Sequence, residues 1–131
     1  MRKALRDTGL EKLADYYVEA EKIFGVNAIF LASLTAQESA WGTSNRAINQ
    51  NNLSGFEVYR ADAKGRYFQN KRESIMKTAE LLSKNYLNEN GVYYKGKDIF
   101  NVNSTYCPND DYYWSSSINK IAYGLVKKVN N

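Results

Sequence analysis

Glu38 has the setting in the chain that most suggests chemistry. It follows the run Ala28-Ile29-Phe30-Leu31-Ala32-Ser33-Leu34-Thr35-Ala36, apolar almost all round, and has Ala36, Ala40 and Trp41 about it. Apolar neighbours disfavour an ionised carboxylate, and the partial negative charge at a helix C-terminus disfavours it further, so its pKa is expected to rise. A carboxyl kept protonated near neutral pH can protonate a departing oxygen, which is what glycosidic cleavage asks of its general acid. Spacing alone does not separate this role from that of a solvated glutamate at a frayed helix end.

Composition narrows the alternatives. The 131 residues include no histidine and one cysteine, Cys107. Ser-His-Asp and Cys-His hydrolysis are excluded, as are zinc peptidases and amidases with histidine ligands, because one thiol cannot build a metal cage. No GxGxxG, P-loop or EF-hand spacing is present, so no metal and no cofactor is expected. Acid-base work then falls to carboxylates, tyrosine or lysine. There are 11 tyrosines, and Tyr93, Tyr94, Tyr106, Tyr112 and Tyr113 fall in the least periodic part. Such rings either pack in a loop-rich half of the core or line a groove for sugars, whose apolar faces alternate with hydroxyls. Tyr16, Tyr17, Tyr86 and Tyr123 lie on helical faces and are expected to be structural. The net charge of +4 suits a polyanion without choosing one. Scattered Lys and Arg without a base-reading motif argue against nucleic acid.

The elements that must hold these residues are mainly helical. A hydrophobic share of 44% and a charged share of 24% support one domain over 1–131 with an ordinary core. Thr8 and Glu11 have the form of a capping box, and Leu10, Leu13, Ala14, Tyr17 and Phe24 recur at helical spacing until Gly25 offers a stop. Asn27 caps the apolar run before Glu38, which predicts a helix in the middle of the core. From 42 to 70 the periodicity fades, with a possible hairpin pairing 56–61 with 66–69; this is the expected functional loop region. Asn70 and Glu73 open a helix carrying Ile75, Met76, Ala79, Leu82 and Tyr86, stopped at 88–91. A polar, tyrosine-rich stretch follows, and Trp114, Ile118, Ile121, Ala122, Leu125, Val126 and Val129 then give the last helix one apolar face.

The segment Ala36-Gln37-Glu38-Ser39-Ala40-Trp41-Gly42-Thr43-Ser44, followed by Asn51-Asn52-Leu53-Ser54-Gly55-Phe56, resembles the signature of the bacterial and phage peptidoglycan N-acetylglucosaminidases of glycoside hydrolase family 73. Ser104-Thr105-Tyr106-Cys107-Pro108, ahead of an aromatic segment and a Trp-led helix, resembles that family's second signature. The resemblance implies a mainly α, lysozyme-like (α+β) fold: about five to six helices and a short β-hairpin flanking a cleft. It makes Glu38 the general acid and Tyr106 an active-site residue that positions the sugar or stabilises charge. Asn51, Asn52 and Phe56 match the loop framing the cleft. Tyr112 and Tyr113 are weighed as glycan contacts, and Trp41 is expected to pack and desolvate Glu38.

Family members often carry a second acid in the hairpin. Here Glu57 and Asp62 are the candidates, Glu57 beside the loop and Asp62 at a predicted turn, where aspartate is common for local reasons. A third route has no protein nucleophile, the substrate's own 2-acetamido group assisting. The expected partner is the peptidoglycan glycan strand, acted on by a monomer without nucleic acid or membrane. Competing readings are a muramidase or lytic transglycosylase of the same fold, and a glycan-binding module that has lost catalysis. The N-terminus is basic but turns polar before an apolar run develops, so no secretion signal is expected. A phage endolysin released through a holin, or a domain excised from a secreted autolysin, fits that reading.

Overall fold

Short-range capping decides where most helices of this fold begin, and a central apolar helix decides how they pack. The computed structural model describes residues 1–55 and 66–131. Within them the chain opens with turns in which Ala4, Leu5 and Leu10 are wholly buried. The Thr8 hydroxyl accepts from the Leu10 N–H at 3.2 Å, and Glu11 Oε2 accepts from the Asp7 N–H at 3.0 Å. The expected capping pair is thus in use, with Glu11 reaching back one residue beyond Thr8. A 3-10 turn, Glu11–Leu13, leads into α1, Ala14–Phe24, which ends at Gly25 with φ 73°.

Asn27 Oδ1 accepts from the Phe30 N–H at 3.0 Å and starts α2, Ala28–Ser39, where eight residues are buried. Its polar members are satisfied locally: Ser33 Oγ donates to Ile29 O at 2.7 Å, and Thr35 Oγ1 bonds the buried Tyr17 hydroxyl at 2.6 Å. The short α3, Asn45–Gln50, is capped by Ser44. Asn70 caps α4, Lys71–Leu81, which continues as a π-helical stretch, Leu82–Leu87. Asp98 caps α5, Ile99–Tyr106, and α6 spans Tyr113–Asn130. The central α2 packs chiefly on α6 and also on α1; α1 lies on α4, and α5 on α6. Leu31, Leu34, Ile75, Leu82 and Ile118 meet in the core.

Three expectations change. Helices α3 and α5 lie where no periodicity was legible, because their caps, rather than a long apolar stripe, mark them. The apolar face of α6 is buried only as far as Leu125, with Val126 and Val129 exposed. Helix α6 has 18 residues against 12 in α2, about 27 Å against 18 Å, so it outruns its partner. The third concerns the hairpin: there is no strand among the described residues. Its first arm and turn lie outside them, and 66–69 is a loop bound to the segment before it. The Phe68 N–H donates to Gln50 O at 2.9 Å. No hairpin therefore belongs to the described fold, which is mainly α.

Candidate active site

Glu38 lies in the last turn of α2, where the chain leaves the helix through three consecutive left-handed residues: Ala40, Trp41 and Gly42, with φ of 50°, 59° and 80°. Only glycine takes that conformation freely, so the first two are held there by their surroundings. The Trp41 N–H bonds Ala36 O at 2.9 Å, the Gly42 N–H bonds Ser39 Oγ at 2.9 Å, and the Ser44 N–H bonds Ser39 O at 3.0 Å. The N-terminal segment closes on this turn from outside. A Cβ on Gly9 would stand 2.0 Å from Trp41 O, so only glycine fits.

The Glu38 carboxyl is partly buried, and burial raises its pKa above the ordinary glutamate value, the direction expected. Acting against burial is the Trp114 indole, whose Nε1–H donates to Glu38 Oε1 at 3.0 Å. A carboxyl so placed holds its proton to higher pH than an exposed glutamate and can pass it to a departing oxygen.

Tyr106 closes α5 and stacks on Trp114, with ring centroids 4.6 Å apart and planes 21° apart. Tyr86 tilts against Tyr106 at 5.3 Å and stacks on Tyr93 at 5.2 Å, so the aromatic series runs from the carboxyl to the surface. The Tyr106 hydroxyl makes no hydrogen bond among the described residues, and burial, aided by the Glu38 charge, keeps it neutral. Burial likewise pushes the Cys107 thiol up to about 11, so it is no nucleophilic thiolate.

The loop between α5 and α6 is stapled from within. Asn103 Nδ2 donates to Cys107 O at 3.0 Å and to Asp110 Oδ1 at 2.8 Å, while its Oδ1 accepts from the Ser115 N–H at 2.8 Å. Asp110 also accepts from the Tyr112 N–H at 3.1 Å and the Trp114 N–H at 2.9 Å. Its carboxyl is held below the ordinary aspartate range, first by the Asn103 amide. With both oxygens engaged, Asp110 serves the loop.

Glu38 and Tyr106 therefore meet, as their motifs suggest. Asn51 and Asn52 lie on the loop after α3 and bond within it. Asn51 Nδ2 donates to Phe68 O at 3.1 Å and Gln69 O at 3.3 Å, and its Oδ1 accepts from Lys71 Nζ at 3.1 Å. The buried Asn52 donates to Arg66 O at 3.1 Å. Phe56, Glu57 and Asp62 lie outside the described residues. Tyr112 and Tyr113 are exposed at the start of α6, Tyr112 with its ring edge-on to Phe100 at 6.1 Å. Trp41 packs against the core cluster. Sequence reasoning missed Trp114 as a partner of Glu38; the indole at the head of the last helix, just after the second motif, was the available signal.

A cavity of about 790 Å³, lined by Phe24, Phe30, Leu87, Ile99 and Ile118, lies toward the other end of α2 and does not include Glu38. Chemistry rather than size locates the site. Among the described residues no group of Cys, Asp and Glu is arranged to hold a metal ion, and no helix is long and apolar enough to cross a membrane.

The profile of the glucosaminidase family, described as mannosyl-glycoprotein endo-beta-N-acetylglucosaminidase, matches residues 14–126. Two Streptococcus pneumoniae proteins named as endo-beta-N-acetylglucosaminidases, from strain TIGR4 of serotype 4 and strain R6, are each 26% identical over 122 residues, 92% of this chain. The chain spans 18% and 17% of their respective lengths. The family match runs from the first residue of α1 into the last turns of α6, and takes in Glu38, Tyr106 and Trp114. The chain belongs to the glucosaminidase family of glycoside hydrolases, family 73.

Proposed function

We propose that the chain hydrolyses the β-1,4 bond between N-acetylglucosamine and N-acetylmuramic acid in bacterial cell-wall glycan, with Glu38 as general acid. The observation that carries this reading is the Glu38 carboxyl itself: partly buried, raised in pKa, and fixed beside a tyrosine whose hydroxyl has no protein partner among the described residues. Glu38 protonates the bridging oxygen as the bond to the N-acetylglucosamine ring breaks. Tyr106 meets the sugar or the charge that develops on it, and Tyr112 and Tyr113 extend the contact along the strand. Asn51 and Asn52 hold the loop that frames the cleft, and Phe56 is a glycan contact of the same motif. The positive charge left on the ring is met by Glu57 or Asp62, or by the substrate's 2-acetamido oxygen, and water then adds at the anomeric carbon to complete the hydrolysis. The enzyme acts as a monomer on the wall, reached as a phage endolysin or as part of a secreted autolysin.

Reducing-end analysis of digested walls tests this. New N-acetylglucosamine ends are expected. Reducing N-acetylmuramic acid would mark a muramidase, 1,6-anhydro ends a transglycosylase, and wall binding without release an inactive module. Glu38→Gln should cut release by about 100-fold or more while sparing wall binding. Unchanged release in that variant removes Glu38 from the mechanism.

A further inference from the structure

The Glu38 carboxyl has two oxygens, and which of them carries the proton decides whether the acid points at its target. We propose that Trp114 is a positioning residue for Glu38: its indole N–H occupies Oε1 and fixes the carboxyl, so that Oε2 carries and delivers the proton. This rests on the reading of Glu38 as the general acid. An indole nitrogen can only donate, so the oxygen it faces must accept and cannot present its own proton there. With Nε1 at 3.0 Å from Oε1, the acidic O–H of the neutral carboxyl is left to Oε2.

The donor is itself immobilised. Trp114 is only 4% exposed, and its ring lies against Tyr106 at 4.6 Å. Its backbone N–H is bound by Asp110, and the next N–H, that of Ser115, by Asn103. The orientation of the carboxyl therefore exists before substrate arrives, which is the condition under which a catalytic group loses little freedom in reacting. After proton transfer the same N–H faces a carboxylate and strengthens, so it also favours the product state of the acid. The titratable groups that share this environment are the Tyr106 hydroxyl at the end of α5 and the Cys107 thiol just after it; both feel the Glu38 charge and both stay neutral. No charged side chain of α1, α4 or α6 contributes to the Glu38 shift among the described residues.

The test uses the indole as its own reporter. Trp41 and Trp114 are the two tryptophans of the chain, so two indole N–H signals are expected in a nitrogen-15 spectrum, assigned by Trp41→Phe or Trp114→Phe. In the wild type the Trp114 signal should shift with pH at the same midpoint as the Glu38 carboxyl carbon, and Glu38→Gln should abolish that shift. Trp114→Phe keeps an aromatic ring against Tyr106 but removes the donor. The carboxyl midpoint and the alkaline limb of the pH-rate profile should both move up by about half a unit to one unit. The kcat should fall roughly 10-fold with KM changed less than about twofold. A Trp114 signal indifferent to Glu38 overturns the inference, whether or not Trp114→Phe folds. Joint titration of indole and carboxyl, combined with a rate profile that does not follow them, overturns the reading of Glu38 as the acid, and the positioning role with it.

Discussion

The turn that follows α2 and the loop that joins α5 to α6 meet at the Glu38–Trp114 hydrogen bond, and each is forced into unfavourable backbone conformations. The first has Ala40 and Trp41 left-handed; the second has Asn109, Asp111 and Tyr112. The means of holding them differ. The α2 turn, bonded locally to Ala36 and Ser39, is fixed from outside by close approach, with the Gly9 backbone lying against the Trp41 carbonyl. The α5–α6 loop is fixed by hydrogen bonds converging on Asn103 and Asp110. A sterically held turn should be indifferent to pH and intolerant of one added carbon. A carboxylate-held loop should tolerate changes in volume and respond to acid. The two sides of one site can thus be perturbed independently.

The largest expected effect breaks the steric side. Gly9→Ala places a Cβ about as close to Trp41 O as a covalent neighbour, so the N-terminal segment must separate from the turn. A loss of about 3 kcal/mol in unfolding free energy is expected, together with lower activity. Gly42→Ala is the control within the same turn: its Cβ would meet the flexible end of Leu10 at 3.1 Å, so the cost is chiefly that of φ 80°, about 1 kcal/mol. Chemical denaturation of both variants checks the order. Equal losses would show that backbone strain, not the Gly9 contact, governs the turn.

The same contrast explains what was legible in sequence. Helices α1 and α4 carry a periodic apolar face with a terminal signal within a few residues, α2 an apolar run behind the Asn27 cap, and α6 a long apolar face alone, so local reading reaches all four. The buried residues of α5 are Val102 and Asn103, too few to show a period. Glu38 and Tyr106 stand in motifs and could be read as a site. Trp114 lies 76 positions from Glu38, and Gly9 meets a carbonyl 32 residues away; such contacts leave no trace in any window of sequence. Tyr86, read as a helical packing residue, is buried and also lies between Tyr93 and Tyr106 in one aromatic series. Gly9 also precedes residues 14–126 of the family match, so its contact is an addition to the matched region.

A smaller effect sharpens the hydrogen-bonded side. The Asp110 carboxyl binds protons less readily in the folded chain than in the unfolded one. Its contribution is complete above the unfolded aspartate value and is lost as pH falls through the lower folded value. Asp110→Asn keeps one acceptor oxygen but turns an NH₂ toward backbone donors. The variant should therefore melt below wild type at neutral pH, with the gap narrowing below about pH 4 as the wild-type carboxyl protonates. Thermal melts at a series of pH values decide this. A gap that stays constant into acid would mean that the loop depends on shape, as the α2 turn does.

The smallest effect belongs to the point where the two meet, and its sign is opposite. Burial raises the Glu38 pKa, so the folded chain holds this proton more tightly than the unfolded one. The associated stability is present below the unfolded glutamate value and is lost as pH rises through the folded one. Above its folded value the wild type thus bears the cost of a partly buried carboxylate, which the Trp114 N–H offsets only in part. Glu38→Gln removes that charge while its side-chain oxygen can still accept from the indole. It should melt slightly above wild type at pH 7.5 and equal to it near pH 4, even though release of wall fragments is lost. Melting below wild type at pH 7.5 would mean that the carboxylate is favoured by a positive group beyond burial and the indole. The acid would then be held by charge pairing, and neither the steric turn nor the hydrogen-bonded loop would account for its state.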